Sequence, residues 1–294
     1  MRSSPTRPDP LETALCGIVL HPAGHTRSPA MHTAAFAALG LNAHYQAFDV
    51  PPDELEAAVA GIRALRLRQI AVSIPHKESM LALVDEVEPV AARIGALNTV
   101  TRIEGRLVGA NTDWIGAIRA LERETTISGR RAVVLGAGGT ARALVYGLRA
   151  RGAEVHVLNR TRSRAEVVAE ELDAAGAGGL EDLPALAPEI LVNTTSVGLR
   201  EARSPVAREA LPEGVVVLDA VYDPERTRLL EDALARGGSA IGGKWMLVHQ
   251  AREQLRLWTR QLPEAPSDAD LDATIGVMAE AFDQAGQART RGGA

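Results

Sequence analysis

The chain contains one cysteine, Cys16, so it cannot close an intramolecular disulfide or assemble a thiolate metal cluster. Cys16 sits in an apolar, strand-like run, where inert packing is expected. The seven histidines show no H-E-x-x-H or other ligand spacing, and no metal is expected. No apolar run reaches the roughly 18 residues that a membrane span requires, and the opening MRSSPTRPDP lacks the apolar core of a signal peptide. Basic charge is not in excess either. With a net charge of −5 and Lys and Arg scattered, nothing calls for nucleic acid. No repeat or low-complexity tract stands out, and no fused domain is evident. These absences leave a stand-alone cytoplasmic enzyme of intermediary metabolism, acting on a small molecule, as the expectation.

What is present is ordinary globular composition: 294 residues, 46% hydrophobic and 23% charged, enough for one large or two ordinary domains. Strand-like runs at 14–20, 43–48 and 69–74 alternate with helical patterns at 30–39, 52–65 and 77–84. Residues 98–110 read as a hairpin turning at Glu104-Gly105, and 114–123 as a helix. Further strands are expected at 132–135, 154–158, 190–192, 215–218 and 240–241, and helices at 246–257 and 271–282. This alternation predicts an α/β fold. Residues 1–11 and 287–294 read as disordered tails.

The chain is organised around RAVVLGAGGTARALVYGLRARGAEVHVLNRTRSR, residues 131–164. A buried strand runs into Gly136-Ala137-Gly138-Gly139-Thr140-Ala141, a helix follows and Gly152 ends it, and a second strand comes next. That is one βαβ unit of a dinucleotide site. Gly136 permits the tight turn, Gly138 lets backbone approach a pyrophosphate, and the helix start attracts its charge. Ala141 takes the third glycine position, an accepted variant. An NAD site places Asp or Glu after the second strand, whereas this chain has Asn159-Arg160-Thr161-Arg162-Ser163-Arg164. Arg160 and Arg164 suit a 2′-phosphate, so the expected cofactor is NADP. The loops 193–196 and 219–222 follow strands and are site candidates by position.

A second set of polar residues lies outside this unit, at loop starts: Thr26, Ser28, Ser73, Lys77, Asn98 and Asp113. Together they suit a small polyhydroxylated ligand carrying a carboxylate. Lys77 and Asp113 form a candidate acid–base pair, because a ketone receiving hydride needs a proton at its oxygen.

Thr26-Arg27-Ser28-Pro29, residues 72–78, Ala96-Leu97-Asn98-Thr99, Asn111-Thr112-Asp113, the glycine loop, Asn159-Arg160-Thr161, residues 193–196 and residues 246–250 occur in one order and spacing. In this the chain resembles the shikimate dehydrogenases, over roughly residues 14–285. The resemblance implies NADP-dependent interconversion of 3-dehydroshikimate and shikimate in aromatic amino-acid biosynthesis. It implies that Lys77 and Asp113 are the catalytic pair and that Thr26, Ser28, Ser73, Asn98, Tyr222 and Gln250 contact substrate. The cofactor set expected with it comprises Gly136, Ala137, Gly138, Gly139, Thr140, Asn159, Arg160, Thr161, Arg164, Thr194, Ser196, Val221, Gly243 and Met246.

The implied architecture is a Rossmann NADP-binding domain at 113–243 and an α/β substrate-binding domain from both chain ends, with a cleft between. The substrate domain takes residues 12–112, and helices in 244–286 return to it. A monomer or homodimer is expected. Four positions depart from the pattern usual in that family: Thr26 for a serine, with the hydroxyl kept, Leu20 for a glycine, Ala71 for an asparagine, and Trp245 for a smaller residue near the nicotinamide. Alternatives are a relative oxidising quinate or an amino-shikimate analogue, a relative using NAD, or a non-catalytic NADP or metabolite sensor.

Overall fold

The computed structural model describes residues 13–292, and residues 1–12 with the expectation made for 1–11 lie outside it. In chain order the elements begin β1 (Ala14–Leu20), α1 (Ser28–Ala38), β2 (Ala43–Asp49), α2 (Leu55–Ala64), β3 (Gln69–Val72), β4 (Glu86–Val87) and α3 (Pro89–Ile94). There follow β5 (Thr99–Ile103), β6 (Arg106–Ala110), α4 (Asp113–Leu121), β7 (Arg131–Leu135), α5 (Gly139–Ala150), β8 (Glu154–Leu158), α6 (Arg162–Glu171) and β9 (Gly176–Gly178). The chain closes with α7 (Leu183–Leu186), β10 (Ile190–Asn193), β11 (Val216–Asp219), α8 (Arg228–Ala235), β12 (Ser239–Gly242), α9 (Gly243–Thr259) and α10 (Asp268–Gly292).

Two compact units result. The first takes residues up to Glu88, Asn98–Ala110 and the chain from Ala251; the second takes Pro89–Leu97 and Asn111–Gln250. The first unit holds a mixed sheet ordered β2-β1-β3-β5-β6-β4, in which β5 runs antiparallel to β3 and β6. Glu104 and Gly105 both take positive φ, 49° and 83°, as a two-residue hairpin loop demands. The second unit holds an all-parallel sheet ordered β12-β11-β10-β7-β8-β9. Its central strands are apolar but for a polar residue at one end, Arg131 in β7, Asn193 in β10 and Asp219 in β11, as a sheet covered on both faces requires. Val134, Val157, Val192 and Leu218 enter a core with Leu144 and Leu148 of α5, while Val133, Leu191 and Val217 face Leu229 and Leu230 of α8.

The units divide the chain elsewhere than at 112 and 243. Residues 89–97 belong with the second because Ile94 and Ala96 pack on Ala143, and Arg142 Nε donates to the Ile94 carbonyl at 2.5 Å. Residues 243–250 stay there because Met246 enters that core.

Two expected elements differ. The helix predicted at 77–84 is only a 3-10 turn over Ser79–Ala82: the stretch buries Met80, then turns into β4, where the Asp85 amide donates to the Leu107 carbonyl at 2.9 Å. The tail expected at 287–294 is helical through Gly292, since Gln, Ala, Arg and Thr carry no breaker before the terminal glycines.

Candidate active site

In the second unit the chain leaves β7 through Gly136, whose φ is 113°. A Cβ there would stand 2.6 Å from Thr194 Oγ1, so the turn needs glycine for both conformation and space. Gly138 is exposed with extended backbone, has nothing within 4 Å of where a Cβ would lie, and leaves the α5 start without a side-chain cap. An open, uncapped start of a twelve-residue helix is a fitting place for an anion. Beyond β8, Asn159 donates to the Thr161 carbonyl at 3.0 Å and Thr161 opens α6. Arg162 is engaged by Asp182 at 2.7 Å. Arg160 and Arg164 are exposed and make no ion pair among the described residues, leaving two cations for a phosphate. The residues present thus fit an NADP-type dinucleotide: α5 for the pyrophosphate, the arginines for the 2′-phosphate.

The loops after β10 and β11 are joined by buried hydrogen bonds. Thr194 Oγ1 donates to the Leu135 carbonyl at 2.7 Å, tying this loop to the glycine turn. Asp219, fully buried, accepts from Asn193 Nδ2 at 2.9 Å, the Val221 amide at 3.0 Å and Thr227 Oγ1 at 2.6 Å. Burial raises its carboxyl to about 6, against the pull of these hydrogen bonds. Val221 is buried, Tyr222 half-buried and Ser196 exposed. The pattern of the sequence marks both loops, Asp219 among them by position, but misses Thr227 and the bonds Asp219 makes to it and to Asn193; the available signal is a carboxylate ending an otherwise apolar strand.

Asp113 and Gln250 also belong to this unit. Asp113 is buried at the start of α4, where its amide donates to Asn111 Oδ1 at 3.0 Å. A Cβ on Gly116 would lie 2.5 Å from the Met246 carbonyl and 2.9 Å from Gln250 Cβ. That close approach of α4 to α9 sets Asp113 and Gln250 on adjoining helices. Gly243 is held as tightly, 2.5 Å from the Ala220 carbonyl by the same measure. Met246 is buried in the core, and Trp245 packs beside it with the Arg123 guanidinium 4.0 Å above its ring.

In the first unit, register places one group of polar residues at one end of the sheet. β1 and β3 run parallel and end there, while β5 begins there. Ser73 follows β3, its amide donating to the Val19 carbonyl at 3.0 Å. Asn98, buried before β5, accepts the Val72 amide on its carbonyl at 2.7 Å and Thr99 Oγ1 on its side chain at 2.9 Å. Thr26 and Ser28 lie past β1, where Thr26 Oγ1 accepts the Ser28 amide at 3.2 Å. Arg27 between them is buried, stacked 4.2 Å from the Phe282 ring of α10. Lys77 is half-buried next to His76, whose Nε2 bonds the Val50 carbonyl at 2.8 Å. Leu20 and Ala71 are buried strand residues. Hydroxyls, an amide and a lysine at one sheet end can bind a small oxygen-rich anion and move a proton at it.

Among the described residues no three His, Cys, Asp or Glu side chains are grouped to hold a metal ion, and no helix is long and apolar enough to cross a membrane.

A family model described as the shikimate dehydrogenase substrate binding domain matches residues 18–100, and one described as shikimate / quinate 5-dehydrogenase matches residues 119–209. The shikimate dehydrogenase (NADP(+)) of Thermococcus kodakarensis is 44% identical over 255 residues, covering 86% of this chain and 93% of its own length. The shikimate 5-dehydrogenase of Thermus thermophilus, solved in complex with NADP(H) and shikimate, superposes with a TM-score of 0.83 at 39% identity, covering 93% of this chain and 100% of that one. The ligand-free 5-ketofructose reductase of a Gluconobacter strain superposes with a TM-score of 0.78 at 32% identity, covering 93% and 99%.

Proposed function

The chain belongs to the shikimate dehydrogenase family, and from that premise we propose that it reversibly reduces 3-dehydroshikimate to shikimate with NADPH, in aromatic amino-acid biosynthesis. The observation carrying the cofactor half is local: an open, uncapped helix start after the glycine turn, with exposed Arg160 and Arg164, unpaired among the described residues, beyond the next strand. Bound there, NADPH would supply the hydride for the ketone carbon. Lys77 gives its ammonium proton to the ketone oxygen and takes one back in the oxidative direction. Asp113 supports the ammonium electrostatically. Thr26 and Ser28 hold the substrate carboxylate, and Ser73, Asn98, Tyr222 and Gln250 its ring hydroxyls. Residues 136–140, Asn159, Arg160, Thr161 and Arg164 would hold the cofactor, with Thr194, Ser196, Val221, Gly243 and Met246 on its other side.

A second reading, an altered polyol substrate such as quinate, draws on buried Leu20 and Ala71, which line the strands leading to Thr26 and Ser73. Both readings have the enzyme in the cytoplasm as a monomer or homodimer. Incubating purified protein with NADP and shikimate, and following NADPH absorbance, tests the proposal. Steady formation that requires shikimate is expected, and no turnover despite binding of both ligands would make the protein a sensor.

A further inference from the structure

We propose that Asp219 is a positioning residue for the nicotinamide half of the cofactor, joining the loops after β10 and β11 into one wall. This rests on the NADP reading above. In the strand order β12-β11-β10-β7-β8-β9, the glycine turn follows β7 and the arginines follow β8. A dinucleotide with its pyrophosphate at that turn and its 2′-phosphate beyond β8 runs its other half over the ends of β10 and β11.

Asn193 and Asp219 end those two strands and are partners in the parallel register. One carboxylate oxygen of Asp219 takes both Asn193 Nδ2 and the Val221 amide, and the other takes Thr227 Oγ1. Asn193, its amide thereby oriented, accepts with Oδ1 from the Thr195 amide at 3.0 Å and Thr195 Oγ1 at 2.8 Å. A single group therefore shapes both the turn leading to Ser196 and the turn leading to Val221 and Tyr222. Apolar neighbours such as Val192 and Leu218 suffice to hold the strands together. A buried carboxylate is costly, and what it adds here is the fixed direction of two loops at the crevice. A neutral amide of the same shape would turn an N–H toward one of these donors.

Calorimetric titration of wild type and Asp219→Asn with NADP, and with adenosine 2′,5′-bisphosphate as a probe of the other half, tests the proposal. D219N is expected to weaken NADP about tenfold, the worth of a lost hydrogen bond to a charged group, and to leave the bisphosphate unchanged. Should D219N fail to fold, Thr227→Val, which removes the donor to Asp219 together with the cap that Thr227 Oγ1 gives the Leu230 amide, should show the same split at about threefold. Unchanged NADP binding, or equal weakening of both probes as general loosening would give, overturns the proposal. Wild type that binds neither probe overturns the NADP reading, and this inference with it.

Discussion

The anion site proposed for the parallel-sheet unit comes from consecutive residues, Gly136 to Thr140 and then Asn159 to Arg164, whereas the substrate set proposed for the mixed-sheet unit, Thr26, Ser28, Ser73, Lys77 and Asn98, comes from separate passages of chain. The difference follows from what each ligand offers. Pyrophosphate is met by backbone amides at a helix start, so one strand, one turn and one helix suffice. A ring with several hydroxyls is met by side chains, which only register brings to one end of a sheet. The same contrast appears in buried ionisable groups. His32 in the first unit and Asp219 in the second are both desolvated, and because one is a base and the other an acid their charges fail in opposite directions.

The sharpest way to break this division of labour is Lys77→Ala. It should lower turnover by about 10² to 10⁴, the usual worth of a positioned acid–base group, while NADP affinity and thermal unfolding stay near wild type. Near-normal turnover would remove Lys77 from the mechanism. Stability against pH sharpens the comparison next. Burial pushes the His32 ring down to about 4, against a hydrogen bond the ring makes to the Gln254 side chain, so its contribution is complete above the ordinary value of 6.5 and is lost as pH falls through about 4. Asp219 is pushed up to about 6, so its contribution is complete below the ordinary 3.8 and is lost as pH rises through about 6. Each linkage spans about 3 kcal/mol. Denaturant unfolding from pH 4 to 7 should show His32→Phe, which keeps an aromatic ring against Tyr45 4.2 Å away, flattening the acid loss. D219N should flatten the opposing trend, and unchanged profiles in both would contradict the burial argument.

Smaller effects separate the two binding regions. Arg160→Ala or Arg164→Ala should cut kcat/KM with NADP by about tenfold to a hundredfold and leave NAD use unchanged, since each removes charge-assisted hydrogen bonds to a 2′-phosphate. Equal losses with both cofactors would place the arginines elsewhere. Thr26→Val should raise the KM for shikimate about five- to tenfold with no change for NADP. A shift in the NADP constant would blur the assignment.

How much the sequence discloses follows the same division. The glycine turn was legible because its constraint is local: Gly136 needs its φ of 113° and Gly138 its open flank wherever the unit occurs. The hairpin at Glu104-Gly105 and the strand at Glu154–Leu158 were legible for the same reason. The scattered polar residues became a set only through resemblance, since no spacing links Ser28 to Asn98. The bonds of the Asp219 cluster were illegible because Asn193 lies 26 residues and Thr227 eight residues away, the first joined by strand pairing and the second by the loop that leads into α8. The helix expected at 77–84 failed because its apolar residues serve a short turn that buries Met80 and delivers Asp85 to Arg63, 2.6 Å away. Periodicity cannot show that demand.

The most direct measurement is kcat/KM for four pairs, shikimate or quinate with NADP or NAD, on one preparation of the protein. The predicted result is efficient turnover with shikimate and NADP, with either replacement costing at least about tenfold, as expected when a specific hydrogen-bond or charge contact is lost. Equal efficiency with NAD would contradict the arginine site, and equal or better efficiency with quinate would contradict the substrate assignment.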